Sequence, residues 1–211
     1  MDKKIIKASI IDYGMGNIGS IVNAFNRIDI SSIVTKDKKK ILSSQLLILP
    51  GVGSFGQAIN NLHERDLFES IHIAAIEKKI PTLGICLGAQ LACQSSTENG
   101  FNDGFKWFDS SVQHMKSTKS LRVPHVGWNS IRYKKGSVLL KNIKRFSNFY
   151  FDHSYFITES KHTLATSKHG TKFSSILQRE NIVSVQFHPE KSSIVGLQFL
   201  RNFYKFAENY L

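Results

Sequence analysis

An open α/β sheet, mixed but mostly parallel and flanked by helices on both faces, is the fold this sequence predicts. Over roughly the first hundred residues, short apolar runs alternate with amphipathic stretches, the pattern of parallel strands joined by helices. Glycine-rich turns follow several of those runs, where open α/β sheets bind ligands. After Gly100 the texture changes to shorter, more polar, strand-like pieces rich in aromatic residues.

Each element follows from its local pattern. Residues 8–11 read as a strand, 18–28 as a helix, 32–35 as a strand and 46–49 as another. A longer helical region spans 57–78, broken near Arg65 and Asp66. Residues 81–85 follow as a buried strand and 87–94 as the next helix. Beyond Gly100, residues 130–133, 148–151 and 163–167 read as strands. Residues 172–177 and 182–187, separated by Gln178-Arg179-Glu180-Asn181, read as a hairpin. The chain closes with an amphipathic helix over 194–208, whose Leu197, Leu200 and Tyr204 are expected to pack on the sheet.

With 211 residues, 41% hydrophobic and 21% charged content and only four prolines, the chain fits a single globular domain over residues 1–211 and excludes a disordered or collagen-like polymer. No apolar run approaches the length of a membrane span. The opening residues carry Lys3 and Lys4, and Lys7 interrupts their apolar stretch, so a secretory signal is not expected and a cytoplasmic location is. The two cysteines, Cys86 and Cys93, match no zinc or disulfide spacing and are expected as free thiols. The 28 basic against 16 acidic residues give a net charge of +12, which raises the question of nucleic acid. Apart from Lys36, Lys38, Lys39 and Lys40, interrupted by Asp37, the cations are scattered. No nucleic-acid-binding motif concentrates them, so no nucleic-acid partner is expected.

The sharpest local feature is Gly84-Ile85-Cys86-Leu87-Gly88, placed where a buried strand ends and a helix begins. It is the thiol version of a nucleophile elbow, in which a tight strand-to-helix turn holds the nucleophile at the carboxyl edge of the sheet. The helix aims its free N–H groups and positive dipole end at the sulfur. Read alone, the segment fits an inert buried cysteine between packing glycines equally well. What separates the readings lies 102 positions later, in Gln186-Phe187-His188-Pro189-Glu190. A nucleophilic thiol needs an imidazole to shuttle protons, and the imidazole needs a carboxylate to fix its tautomer. In an extended segment residues two apart point the same way, so His188 and Glu190 are expected side by side. Leu49-Pro50-Gly51-Val52-Gly53-Ser54-Phe55-Gly56 ends another strand and lets backbone N–H groups approach a ligand. It lacks the Gly-Lys-Ser/Thr ending of a phosphate loop.

Together Pro50-Gly51-Val52-Gly53, Gly84-Ile85-Cys86-Leu87-Gly88-Ala89-Gln90 and His188-Pro189-Glu190 resemble the class I (triad) glutamine amidotransferases, in chain order, spacing and whole length. Within that family, Asp12-Tyr13-Gly14-Met15-Gly16-Asn17, Pro124-His125-Val126-Gly127-Trp128-Asn129, His153-Ser154-Tyr155 and Gln186 to Ser192 resemble the glutaminase subunit of imidazole glycerol phosphate synthase. The resemblance implies attack of Cys86 on the glutamine amide, with His188 and Glu190 completing the triad. It implies backbone N–H groups of Val52 and Leu87 at the oxyanion, and Gly53, Gln90, Glu98, Ser154 and Tyr155 around the substrate. No cofactor and no metal are expected. The implied partner is a (β/α)8-barrel cyclase forming a heterodimer with the chain, since ammonia released into water becomes unreactive ammonium. Trp128 and Asn129, expected to be exposed, and Lys191, just after the triad, are the candidate docking residues.

Two segments depart from the family pattern, Phe151-Asp152-His153 and Asp103-Gly104-Phe105-Lys106-Trp107. They leave open whether the ammonia serves histidine biosynthesis or the amidation of a bacterial surface sugar by a paralogous subunit. A catalytically idle regulatory module is the alternative of another class, against which the complete Cys86, His188 and Glu190 set argues.

Overall fold

The structure, a computed structural model, describes residues 6–117, 121–133 and 136–210. Lys3 and Lys4 lie outside them. The amino-terminal half alternates as predicted: β1 (Ala8–Ile11), α1 (Ile18–Asn26), β2 (Ser32–Thr35), α2 (Lys38–Leu42), β3 (Leu46–Leu49), α3 (Phe55–Glu64), α4 (Phe68–Ile76), β4 (Thr82–Ile85) and α5 (Leu87–Leu91). Then follow β5 (Ser95–Ser96), β6 (Asn102–Asp103), β7 (Ser111–His114), β8 (His125–Ser130), β9 (Arg132–Tyr133), β10 (Asn148–His153), β11 (Tyr155–Ile157), β12 (Thr163–His169), β13 (Thr171–Arg179), β14 (Ile182–Val185) and α6 (Ser193–Ala207).

The main sheet has eight strands in the order β2-β1-β3-β4-β14-β13-β12-β9. Neighbours from β2 to β14 pair in parallel, and β13, β12 and β9 extend the sheet antiparallel. The alternation of strand side chains splits the core into two layers. Ile10, Leu46, Ile48, Leu83, Ile85 and Val183 face α1 and α6, where they pack with Phe25, Phe199, Leu200 and Phe203. Ile11, Leu47, Leu49 and Ile182 face α2, α3 and α4, against Ile41, Ala58, Leu62 and Ile71. Each of these buried Leu, Ile, Val and Phe side chains stabilises the fold by about 1.5–3 kcal/mol in transfer free energy. Two smaller sheets, β11-β7-β5-β6 and the β10-β8 ribbon, sit beyond the carboxyl ends of the parallel strands and wall the site.

Two local expectations give way to tertiary contacts, and one element arises from a local cap. The helix predicted over 87–94 stops at Leu91. The carbonyls of Leu91, Ala92 and Cys93 instead accept N–H bonds from Phe105, Trp107 and Lys106. Gly104 makes that approach possible, since a Cβ there would meet the Leu91 and Cys93 oxygens at 2.6 and 2.4 Å. The strand predicted over 130–133 is two strands: β8 pairs with β10, and after Ile131 β9 joins the main sheet beside β12. The short helix α2 comes from Asp37, read in the sequence only as an interruption of a lysine cluster. Its carboxylate accepts from the N–H groups of Lys39 at 2.8 Å and Lys40 at 3.4 Å, capping the helix.

The surplus cations are spread over the surface. Lys38, Lys79, Lys106, Lys161 and Lys172 pair with Asp66, Glu180, Asp103, Asp109 and Glu159. Such exposed pairs contribute about 0–1 kcal/mol each. Among the described residues no helix is long and apolar enough to cross a membrane, and no group of three or more His, Cys, Asp or Glu side chains is placed to hold a metal ion.

Candidate active site

Four strand ends meet at one place because glycines let them. At the end of β4 a Cβ on Gly84 would lie 2.7 Å from the Gly88 carbonyl oxygen, and one on Gly51 would lie 2.6 Å from the Leu87 Cβ. The turn after β3 therefore presses against the first residues of α5. Tyr13, just past β1, donates its hydroxyl to the Pro50 carbonyl at 2.7 Å and pins that turn. Cys86 sits at the apex with φ 52° and ψ −105°, a conformation that costs a non-glycine residue of order 1–3 kcal/mol. Its N–H donates to the Val185 carbonyl at 2.8 Å, which ties the apex to β14. Leu87 opens α5, so its N–H has no intrahelical acceptor and is free to meet a ligand.

Beyond β14 the chain brings His188 against the sulfur. Its side chain is 2% exposed and that of Glu190 1%. Nδ1 of His188 donates to Oε1 of Glu190 at 2.7 Å, which leaves Nε2 for Cys86, within hydrogen-bonding reach. Burial would push the imidazole pKa down, but the adjacent Cys86 sulfur and the Glu190 carboxylate outweigh it and push it up to about 10. The imidazole is thus held between the Cys86 sulfur and the Glu190 carboxylate, both of which favour its cationic form. The side-by-side placement is as expected, but the backbone is not extended beyond His188. Pro189–Lys191 form a 3-10 turn with proline at its start, and a Cβ on Gly196 would meet the Pro189 oxygen at 1.9 Å. The turn, seated on α6, delivers Glu190 to the imidazole.

A cleft of about 310 Å³ opens over the sulfur. It is lined by Cys86 and by all the residues expected at the oxyanion and the substrate: Val52, Leu87, Gly53, Gln90, Glu98, Ser154 and Tyr155. Glu98 also accepts the N–H of Phe55 at 2.7 Å, placing its carboxylate at the start of α3. Gln90 donates to the Tyr155 carbonyl at 2.9 Å. Cys93 is fully buried, burial pushes its thiol pKa up, and it lies outside the cleft. Sequence reasoning gave no role to Pro124, Asp152 and His153, which also line the cleft, nor to Gln186, whose amide nitrogen is 3.9 Å from Cys86 Sγ. Gln186 held a usable signal, an amide two residues before a candidate catalytic histidine.

Comparison with known proteins bears on this arrangement. The glutamine amidotransferase class-I family model matches residues 9–206. The chain belongs to the class-I glutamine amidotransferases. This class-I chain is 42% identical to imidazole glycerol phosphate synthase subunit HisH 2 of Vibrio vulnificus, over 94% of each chain. It is also 42% identical to subunit HisH of Caldanaerobacter subterraneus subsp. tengcongensis, over 92% of this chain and 95% of that one. Among solved structures, a putative GMP synthase subunit from Thermoplasma acidophilum superposes with a TM-score of 0.74 at 17% identity, covering 99% of this chain and 96% of the other. That likeness bears on the class-I fold alone.

The candidate docking residues divide. Trp128 is 55% exposed and stands edge-on to Tyr150 across the β8–β10 ribbon, not in the core. Lys191 is partly exposed, with its ammonium 5.6 Å above the Tyr150 ring and 4.0 Å from Asp152. Asn129 departs from expectation. It is half-buried, and its amide turns inward to His125 and to the Lys168 carbonyl. Alternation along β8 is the reason: the strand that sends Trp128 outward sends its neighbour inward.

Proposed function

We propose that this chain is the glutaminase subunit of an imidazole glycerol phosphate synthase, which hydrolyses glutamine and passes the ammonia to a (β/α)8-barrel cyclase subunit. The observation that carries the reading is the Cys86 sulfur beside the His188 imidazole, whose other nitrogen bonds Glu190 at 2.7 Å, at the floor of a cleft of about 310 Å³. The named relatives supply the pathway.

In this reading the Cys86 thiolate adds to the side-chain amide carbon of glutamine, and the carbonyl electron pair moves to oxygen. The N–H groups of Leu87 and Val52 hold that oxyanion. His188 gives its Nε2 proton to the departing nitrogen, the C–N bond breaks, and ammonia leaves a thioester. His188 then removes a proton from water, the resulting hydroxide displaces the thiolate, and glutamate departs. Glu190 stabilises the imidazolium in both half-reactions. Trp128 and Lys191 form part of the face that receives the cyclase, which shields ammonia from protonation and carries it to a ribosyl-formimino intermediate.

The test is co-purification of this chain with the cyclase subunit of the same organism, assayed with glutamine and separately with ammonium salts. Cys86→Ala is expected to abolish turnover with glutamine and to leave turnover with ammonium. Retained glutamine-dependent activity would refute the triad. Glutaminase activity without use of the formimino intermediate would instead assign the chain to the paralogous sugar-amidation family.

A further inference from the structure

Two histidines that the proposed mechanism does not use stand beside the site. His125 on β8 and His153 at the end of β10 face each other across the antiparallel ribbon, 4% and 6% exposed. Nδ1 of His125 lies 3.0 Å from Nε2 of His153. Their partners dictate where the hydrogens are. Nδ1 of His153 is 2.7 Å from the Tyr155 carbonyl oxygen, which can only accept, so this nitrogen carries a hydrogen. A neutral His153 then offers a bare Nε2, and His125 must donate to it from Nδ1. The remaining nitrogen of His125 is bare in turn and accepts from the Asn129 amide Nδ2, 3.1 Å away.

The orientation of Asn129 is independently fixed. Its nitrogen also donates to the Lys168 carbonyl at 3.0 Å, and its oxygen accepts the Ser130 N–H at 2.8 Å. Donation therefore runs without a break from Asn129 through His125 and His153 to the Tyr155 carbonyl. An extra proton on His125 would face the Asn129 amide hydrogens, and one on His153 would face the Nδ1–H of His125, in each case setting two donors face to face. Burial acts in the same direction. It pushes the pKa of His125 down to about 4, helped by the neighbouring His169, and that of His153 down to about 3 against the pull of its Tyr155 bond.

The chain continues into the cleft. The Tyr155 carbonyl also accepts one hydrogen of the Gln90 amide at 2.9 Å, and the second hydrogen goes to Gln186 Oε1 at 3.3 Å. With both hydrogens committed, Gln90 can present only its carbonyl oxygen to a bound molecule. Such an acceptor suits the –NH2 of a carboxamide and repels a carboxylate.

We infer that His125 and His153 are positioning residues, a neutral pair of fixed tautomer that aims the Tyr155 carbonyl, and through it the Gln90 amide, so that the cleft selects glutamine over glutamate. The inference rests on the glutaminase reading, and its test separates the two. In the full-length chain labelled with 15N-histidine, both rings are expected neutral with hydrogen on Nδ1 at pH 6 and above. A cationic ring, or hydrogen on Nε2 of either, would overturn the relay whatever the protein's activity. The functional arm alkylates Cys86 with iodoacetamide and measures how far glutamine, and separately glutamate, protects it. No protection of Cys86 by glutamine in the unaltered chain would sink the glutaminase reading. If glutamine protects, His153→Phe, which keeps a ring among Phe151 and Phe173 but no hydrogen bond, is expected to raise the glutamine concentration for half-protection at least tenfold while moving that for glutamate far less. His153→Asn, which retains a donor near Nδ1, is expected to recover most of the preference for glutamine. An unchanged preference in the folded phenylalanine variant would overturn the positioning role.

Discussion

Gly88, in the first turn of α5, lies so close to the end of β3 that a Cβ on it would be 1.9 Å from the Leu49 carbonyl oxygen. The contact is to backbone, so no side chain can swing aside. Gly88→Ala is expected to destabilise the protein by about 3 kcal/mol or more, because either the elbow or the 50–53 turn must move. Urea denaturation would measure the loss, and Gly19→Ala, with open space around its Cβ, serves as the control on α1.

Glu190 meets His188 through a single 2.7 Å hydrogen bond inside a buried pair. Glu190→Gln keeps an acceptor there but removes the charge that balances the imidazolium. Glutamine turnover is expected to fall by about a hundredfold, less than on loss of the thiol. In Cys86→Ala the imidazole should titrate well below its present value of about 10, since the sulfur is the first of the influences raising it. NMR titration of the His188 ring in that variant checks the point; an unmoved midpoint would mean the sulfur does not face it.

His125 and His153 bind protons only near pH 4 and pH 3 in the fold, against about 6.5 in an unfolded chain. Between those values the unfolded state holds more protons than the native one. Their contribution to stability is therefore present above pH 6.5 and is lost as the pH falls toward 3 to 4. Thermal melts are expected to show Tm dropping across that window. His153→Phe should flatten the drop; an equally steep acid limb in the variant would place its origin elsewhere.

Trp128 projects from β8 with 55% of its surface exposed. Trp128→Ala should leave unfolding free energy within about 0.5 kcal/mol of the parent. If the proposed cyclase partner docks on this face, the affinity of the variant for it should fall by about thirtyfold, the loss of an anchor contributing about 2 kcal/mol. Calorimetric titration of the two subunits would read this directly, and unaltered affinity would remove Trp128 from the interface.

Legibility in the sequence followed the range of the interactions. β1, β2 and β3 stand at their predicted residues, and the 57–78 helix breaks near Arg65 and Asp66 as read, because periodicity and turn chemistry are local. Cys86, His188 and Glu190 could be found because each carries its chemistry in its own side chain and its immediate neighbours. The His125–His153 pair could not. Both residues lie in aromatic strands that look like ordinary sheet, and only the β8–β10 register sets them opposite each other. Asn129 was misjudged for the same reason, since the face a strand presents is settled by its partner. The shortened α5 depended on backbone bonds from a segment more than ten residues away, centred on Gly104.

The positive φ of Cys86 sets this molecule's two requirements against each other. A glycine there would relieve the backbone, so a library of variants screened for heat resistance alone should discard the sulfur while keeping the hydrophobic layers intact. Heat tolerance and ammonia production are best selected together, or the sturdiest survivors will be inert.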